Sequence, residues 1–551
     1  MKITRANKFN VIFRPNRPQS NDTMPNTIYI YPEDNKWNDF KYKTHCSYLI
    51  KRENNYSIRG NILVSIVDKD IERSEYTGLG NIFDDNPRVI EREHVDKLFF
   101  TLLPSISDYR ELVKSVGPEK TAEILSSLND LVFFSKYKKN ISWLKKSLQS
   151  DVFKKSFMRN SEPFFAFHNA ADIIRGLEFE ELEYISKKLE LSFKLDGFKN
   201  EHKLTLNFGS SDIVPKRINI LIGENGLGKS QSLNQFVRSS LQQRGYIRNL
   251  IDPLSPTGRP MINRILAIGT PGETANTYPS DSIKNPKLNY KRLLLTRNGR
   301  ANSDNMLGNS IVKLARLDES IGMLDRWDIF IKAIEHALPL DKIFFQITDE
   351  NQELDFISLK MIKFGYNEER QLKIWSSIDN NADPKIKGDD GFYPMSSGQL
   401  SFFKFALLAC LHIENGSFVL LDEPETHLHP SLISDFVTLL DNILEKTGSY
   451  ALIATHSPYF VREVTREQVH IFKHNRDGFI YIENPRLKTF GANIGDISYF
   501  VFDEDIGNSL SHKTILKLKN KKISYTVLKE ELGSELPTEM LQEIKILLQG
   551  K

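Results

Sequence analysis

A chain of 551 residues, 40% of them hydrophobic, can bury one or more large cores and, at ~150 residues each, two to four domains. The formal charge of +3 on a chain with 26% charged residues excludes a strongly basic or acidic polyelectrolyte, so any nucleic-acid surface must be local. Cys46 and Cys410 stand alone, without CxxC or Cys/His spacing, which excludes a disulfide framework or a structural zinc site and suits a reducing cytoplasm.

The opening MKITRANKFNVIF lacks the apolar core of a signal peptide. The longest apolar run, Phe405 to Leu411, falls far short of the ~20 residues of a membrane span, so a cytoplasmic protein without a membrane partner is expected. Residues 1–188 read as an N-terminal α+β accessory region. Short β-type runs (Thr27 to Tyr31, Ile62 to Val67) come first. A helix opening at Pro118 then carries Ala122, Ile124, Leu125, Leu128 and Leu131 at helical spacing.

Residues 189–480 change character. Two alternating runs with a turn between them precede the apolar strand Ile218 to Ile222, which runs straight into a glycine loop. Residues 269–310 are rich in Gly, Pro, Asn and Ser, with Lys284, Lys287, Lys291, Arg292, Arg297 and Arg300 spread through them, and read as an irregular insertion. A helical stretch from Ile311 to Leu338 follows, then strands around Val419 and Ile453. The remainder, 481–551, is a Lys-rich tail (Lys513, Lys517, Lys519, Lys521, Lys522), a candidate partner-binding region.

The glycine loop, Gly223-Glu224-Asn225-Gly226-Leu227-Gly228-Lys229-Ser230, fits the P-loop pattern between an apolar strand and a helix beginning at Gln231. Its glycines let backbone N–H groups turn toward the phosphates of ATP, and the helix N-terminus adds positive potential. Lys229 is expected to reach the β- and γ-phosphates and Ser230 to ligate Mg2+. Downstream, the apolar strand Phe418 to Leu421 delivers Asp422 and Glu423 at its C-terminal end. Asp422 is expected to hold the same Mg2+, and Glu423 to be the base that orients and activates water.

Between these motifs, Met395-Ser396-Ser397-Gly398-Gln399 opens an apolar helix, Leu400 to Leu411, and the strand Leu452 to Thr455 ends in His456. This order of motifs resembles the ABC ATPases. Ser396 and Gly398 match the family's LSGGQ signature, while Met395 and Ser397 depart from it. The resemblance implies an α/β ABC-type head, a mixed β-sheet with a P-loop core plus a helical lobe. It further implies that Ser396, Ser397, Gly398 and Gln399 bind the γ-phosphate held by the opposite protomer of a head-to-tail dimer or higher oligomer. His456 is then the switch histidine at the γ-phosphate. No Q-loop is placed.

The acids continue as Pro424-Glu425-Thr426-His427-Leu428-His429-Pro430, with His429 where the family commonly has an aspartate. This form is similar to the SMC-like subgroup that includes the OLD nucleases and many phage-defence ATPases. The His427/His429 pair has no third ligand nearby to make a metal site. Together with the segment IYIYPEDNKWNDFKYKTHCSYLI and a short arm, the box resembles the PtuA family, the ATPases of Septu-type and retron-associated antiphage systems. That implies a regulatory subunit holding an HNH-type nuclease, with nucleic acid (a retron RNA–DNA hybrid or a target) as a further partner of the basic insertion or tail. Two alternatives remain at this level. An OLD-type nuclease would use a C-terminal Toprim-like site, for which Asp503-Glu504-Asp505 has DxD spacing although little chain is left for the domain. A DNA-repair SMC-like ATPase would need coiled-coil arms, and heptads are missing.

Overall fold

The computed structural model describes residues 9–19, 24–33, 40–51, 57–67, 76–85, 87–91, 99–137, 141–177, 185–209, 213–269, 277–280, 288–295, 306–317, 320–321, 324–348, 354–363, 368–380, 382–502, 525–532, 541–542 and 545–546. Alternating and apolar runs near the N-terminus pair into a seven-stranded sheet. Its order is Tyr76–Gly78, Ser57–Val67, His45–Lys51, Thr27–Pro32, Asn10–Phe13, Ile90–Glu91, with Phe99–Leu102 also bonded to Ser57–Val67. Only Asn10–Phe13 and Thr27–Pro32 run parallel. With the helices Ile106–Ser127, Leu131–Tyr137 and Ser161–Asn169 they enclose one core reaching from Val11 to Ile174.

The helix expected at Pro118 is the second half of Ile106–Ser127. Gly117, at φ 79 and ψ 164, interrupts the helical backbone there, as the residue before a proline is pushed out of the α region. The half before the kink is capped by Ser105, whose hydroxyl accepts from the Asp108 N–H, and its Tyr109, Leu112 and Val113 are buried.

A second core begins at Ile185 and runs to Ile480. The hairpin Lys188–Phe193 and His202–Asn207 alternates buried and exposed positions, as a sheet with one face on the core requires. The main sheet has seven strands in the order Asn289–Leu294, Arg264–Gly269, Ser417–Asp422, Tyr450–Thr455, Ile218–Gly223, Val469–His474, Ile480–Glu483. The first six are parallel and the last antiparallel. INILIG, SFVLLD and YALIAT are buried throughout, which is why they read as continuous rather than alternating apolar runs.

Two expectations need correction. Asn289–Leu294, inside the stretch read as irregular, is the edge strand of the main sheet. Tyr290 and Leu293 are buried while Lys291 and Arg292 are not, a charge content that edge strands tolerate and that hides the strand from pattern reading. The helix expected from Ile311 to Leu338 is two helices, Leu307–Arg316 and Arg326–Ile334, separated by the short pairing of Ser320–Ile321 with Leu324–Asp325. Asp325 stops continuity because its carboxylate caps the new helix at the Trp327 N–H.

Lys284, Lys287, Arg297, Arg300, the tail lysines Lys513 to Lys522 and Asp503-Glu504-Asp505 lie outside the described residues. Met1–Gly491 forms one compact unit and Ala492–Lys551 another, the latter with helices Ile494–Phe502 and Tyr525–Leu532. Among the described residues no helix is long and apolar enough to cross a membrane, and no cluster of three or more His, Cys, Asp or Glu is arranged to hold a metal ion.

Candidate nucleotide-binding site

The parallel register brings the C-terminal ends of three strands abreast. Ile222 pairs with Thr455, and Asp422 pairs with Ala454. Ligand sites of open α/β sheets lie at this edge. Gly223 leaves its strand at φ 146, where a Cβ would come within 2.4 Å of the Phe472 carbonyl oxygen, so only glycine lets the loop turn there. The loop then delivers the helix Lys229–Ser240, whose first turn opens at Gly228.

Lys229 is 5% exposed, and its ammonium donates to the carbonyls of Gly223 and Glu224, both at 2.8 Å. Burial pushes it down to about 8, against the upward pull of Glu423, Asp422, Glu425 and Glu224. The loop's own lysine thus satisfies itself on two carbonyls that an anion could replace. Glu224, Asn225 and Gly226 are exposed, Leu227 is buried, and Gln231 points outward from the first turn of the helix.

Ser230 Oγ donates to Asp422 Oδ1 at 2.9 Å, and Thr277 Oγ1 donates to Asp422 Oδ2 at 2.7 Å. Burial raises the Asp422 carboxyl above its usual range, and the Thr277 and Ser230 hydroxyls oppose that shift. Glu423 follows in the left-handed region at φ 47, ψ 54, a conformation that costs a non-glycine residue ~1–3 kcal/mol and clusters at functional sites. Its N–H holds the Ala454 carbonyl at 2.9 Å. Its carboxylate faces His456, Oε1 to Nε2 3.3 Å, with side chains 41% and 30% exposed. Burial and the nearby Lys229 ammonium lower the His456 pKa, with Asp422 opposing, which favours a neutral imidazole.

The sequence assigned no role to Glu425 or Thr277. Glu425 Oε1 accepts from Thr455 Oγ1 and from the His456 N–H, each at 2.7 Å, and so ties the turn after the acids to the histidine strand. Burial raises its carboxyl, and the two donors work against the rise. Thr277 sits in the stretch read as irregular, so nothing local marked it.

The signature residues form their own turn. Ser396 is the N-cap of Ser397–His412, and its side chain and that of Gln399 close a reciprocal capping box. Ser396 and Ser397 are exposed, whereas Met395 and Gly398 are buried. His429 is an N-cap too, its Nδ1 accepting from the Ser431 N–H at the start of Pro430–Thr447.

The six parallel strands, the loop lysine and serine, the paired acids, the capped helix at Ser396 and the histidine strand together resemble an ABC/SMC-like P-loop ATPase head. The profile of the family described as "AAA domain, putative AbiEii toxin, Type IV TA system" matches residues 341–462, the span holding the signature helix, both acids and His456. Over 534 residues, 94% of this chain and 94% of the other, the sequence is 25% identical to protein ea59 of Escherichia phage lambda. Solved structures that it resembles include an ATP-binding cassette of an ABC transporter in its ADP conformation, 12% identical, covering 58% of this chain and 95% of that one at a TM-score of 0.27. Another is the SMC head bound to the C-winged helix domain of ScpA, 14% identical, covering 55% and 98% at a TM-score of 0.27.

Proposed function

We propose that the protein binds and hydrolyses ATP with Mg2+ at composite sites between two heads and acts as the regulatory subunit of a phage-defence complex that holds an HNH-type nuclease. The hydrogen bond of Ser230 to Asp422, across 192 residues of sequence, carries the ATPase part of this reading. A hydroxyl and a carboxylate oxygen held together are the hard donors Mg2+ takes, and the ion bound there would offset charge on the phosphate oxygens. Gly223 to Gln231 cradle the phosphates, and Lys229 exchanges its two carbonyls for phosphate oxygens. Glu423, held in its left-handed turn, takes the proton of the attacking water, and neutral His456 steadies the terminal phosphate.

The second half of the site is the turn Ser396, Ser397, Gly398 and Gln399, whose two serines are exposed. A helix N-terminus already capped by its own side chains offers backbone N–H groups to an anion brought by another copy. We read residues 1–188 as accessory, 189–480 as the ATPase domain and 481–551 as the partner-binding region, a division supported by the separate cores that end at Ile174 and begin at Ile185. Similarity to a phage protein along nearly the whole chain supports the phage–host setting.

Complementation tests the composite site. Lys229→Ala and Ser396→Arg are each expected to stop hydrolysis, the first through lost nucleotide binding and the second without it. A heterodimer of the two rebuilds one intact site, so mixing them should restore a fraction of wild-type turnover. No recovery on mixing, when both variants are folded and dimerise, contradicts sites shared between heads. Co-expression with an HNH-type nuclease and copurification, or its absence, decides the partner.

A further inference from the structure

Beneath the phosphate loop lies a buried histidine that the catalytic chemistry does not use. His202 begins the second strand of the hairpin and is 0% exposed. Its ring stacks on Phe193, centroids 4.8 Å apart at 14°, with the edge of Phe198 at 5.0 Å and Phe472 at 6.4 Å. The turn that leads into it is pinned to the far edge of the main sheet, where Asn200 exchanges two hydrogen bonds with the backbone of Ile480, each 2.8 Å. The imidazole therefore sits on a rigid base.

From that base it touches the P-loop. Nε2 lies 3.1 Å from the Leu227 carbonyl oxygen. A carbonyl only accepts, so Nε2 carries the proton and the ring is the Nε2–H tautomer. Nδ1 is buried and has no hydrogen-bond partner among the described residues, as fits a ring that stays neutral. The next residue, Gly228, stands at φ +96, and a Cβ there would meet His202 Nε2 and Leu195 Cδ1, each at 2.9 Å. The loop thus rests directly on the imidazole at the residue before Lys229.

We propose that His202 is a positioning residue for nucleotide binding: by donating its Nε2–H to the Leu227 carbonyl, it fixes the Gly228 turn that aims the first N–H groups of the Lys229–Ser240 helix. The competing account is that His202 only fills an aromatic pocket, in which case phenylalanine would serve equally. The proposal rests on the P-loop holding ATP, and the experiment separates the two.

ATP affinity and steady-state hydrolysis are measured for wild type, His202→Phe, His202→Gln and Lys229→Ala. Phenylalanine keeps the stack and loses the donor. Its ATP affinity should fall roughly tenfold, the scale of one lost net hydrogen bond, with kcat at saturating ATP within about twofold and KM carrying the change. Glutamine restores an N–H at a similar reach and should return affinity to within about threefold of wild type. Wild-type affinity in His202→Phe, a glutamine variant no better than phenylalanine, or an equal fall in kcat would each overturn the proposal. If His202→Phe does not fold, His202→Leu against His202→Gln makes the same comparison, and equal affinities overturn it. If Lys229→Ala binds ATP as wild type does, the ATP reading itself has failed.

Discussion

The N-terminal sheet and the nucleotide sheet each have seven strands, and each region buries an aspartate against hydroxyl groups. Asp130 accepts from the Tyr109 hydroxyl at 2.7 Å and from the Phe133 N–H at 2.9 Å, and Asp422 from Ser230 and Thr277. Burial raises both carboxyls. The difference lies in topology. Asp130 lies in the turn between the helices Ile106–Ser127 and Leu131–Tyr137, which pack over the mostly antiparallel sheet, and so it ends in a closed core, 0% exposed. Parallel neighbours bring every strand end to one edge, so Asp422 stands beside Lys229, Glu423 and His456. A shifted carboxyl alone does not mark a site; convergence of an ammonium, a half-exposed acid and a histidine at one edge does.

Substitutions at matched positions sharpen that contrast. Glu423→Gln should lower ATP turnover ~10²–10⁴-fold, the range of a general base, while retaining ATP and favouring the closed dimer. Wild-type turnover in this variant would remove Glu423 from the mechanism. Asp422→Asn should cost about 10²-fold and abolish the tightening of ATP binding by Mg2+, since a neutral amide replaces the charged oxygen donor. If titration with Mg2+ still tightens ATP binding as in wild type, Asp422 is not a ligand.

Glu425 is the intermediate case, an acid that acts on the site only through the backbone it holds. Glu425→Ala releases the Thr455 hydroxyl and the His456 N–H, and about a tenfold loss of turnover is expected from a lost charge-assisted bond that orients His456. Glu425→Gln keeps a carbonyl for both donors and places an N–H₂ where Oε2 accepts no hydrogen bond among the described residues, so it should stay within about threefold of wild type. If glutamine is as damaging as alanine, the negative charge matters and Glu425 is more than a tie.

The cluster at the strand ends was legible because each motif is contiguous: a strand, then the polar residues, within a few positions. INILIG, SFVLLD and YALIAT announce buried strands through unbroken apolar runs, and their following residues fall at one edge because parallel register puts them there. Thr277 and Glu425 act through contacts made 145 and 30 residues away, and His202 touches a carbonyl 25 residues on. No local spacing encodes such pairs. The edge strand Asn289–Leu294 was hidden by Lys291 and Arg292, charges that solvent on its open side accommodates. The split between Leu307–Arg316 and Arg326–Ile334 was signalled by Asp325 as a cap, which a reading by apolar spacing alone passes over.

The smallest expected effect isolates Asp130 from any catalysis. Unfolded, its carboxyl titrates near 3.8, and in the folded core burial raises it to about 7. Between those values the native chain holds a proton that the unfolded chain has released. The stability contributed is therefore complete below the unfolded value and is lost as pH rises toward about 7, levelling off above it. Asp108, raised to about 6 mainly by burial, adds a slope of the same sign. Asp130→Asn removes the titration and keeps an oxygen for the Phe133 N–H, while its amide now donates to the Tyr109 oxygen, reversing the bond that the hydroxyl makes to the carboxylate. Urea midpoints at pH 4.5 and 7.5 should consequently fall less between the two for the asparagine variant than for wild type, with Asp108 accounting for part of what remains, while ATP turnover at neutral pH is unchanged. Equal falls would mean that Asp130 is ionised in the folded core, held there by the Tyr109 hydroxyl and the Phe133 N–H despite its burial.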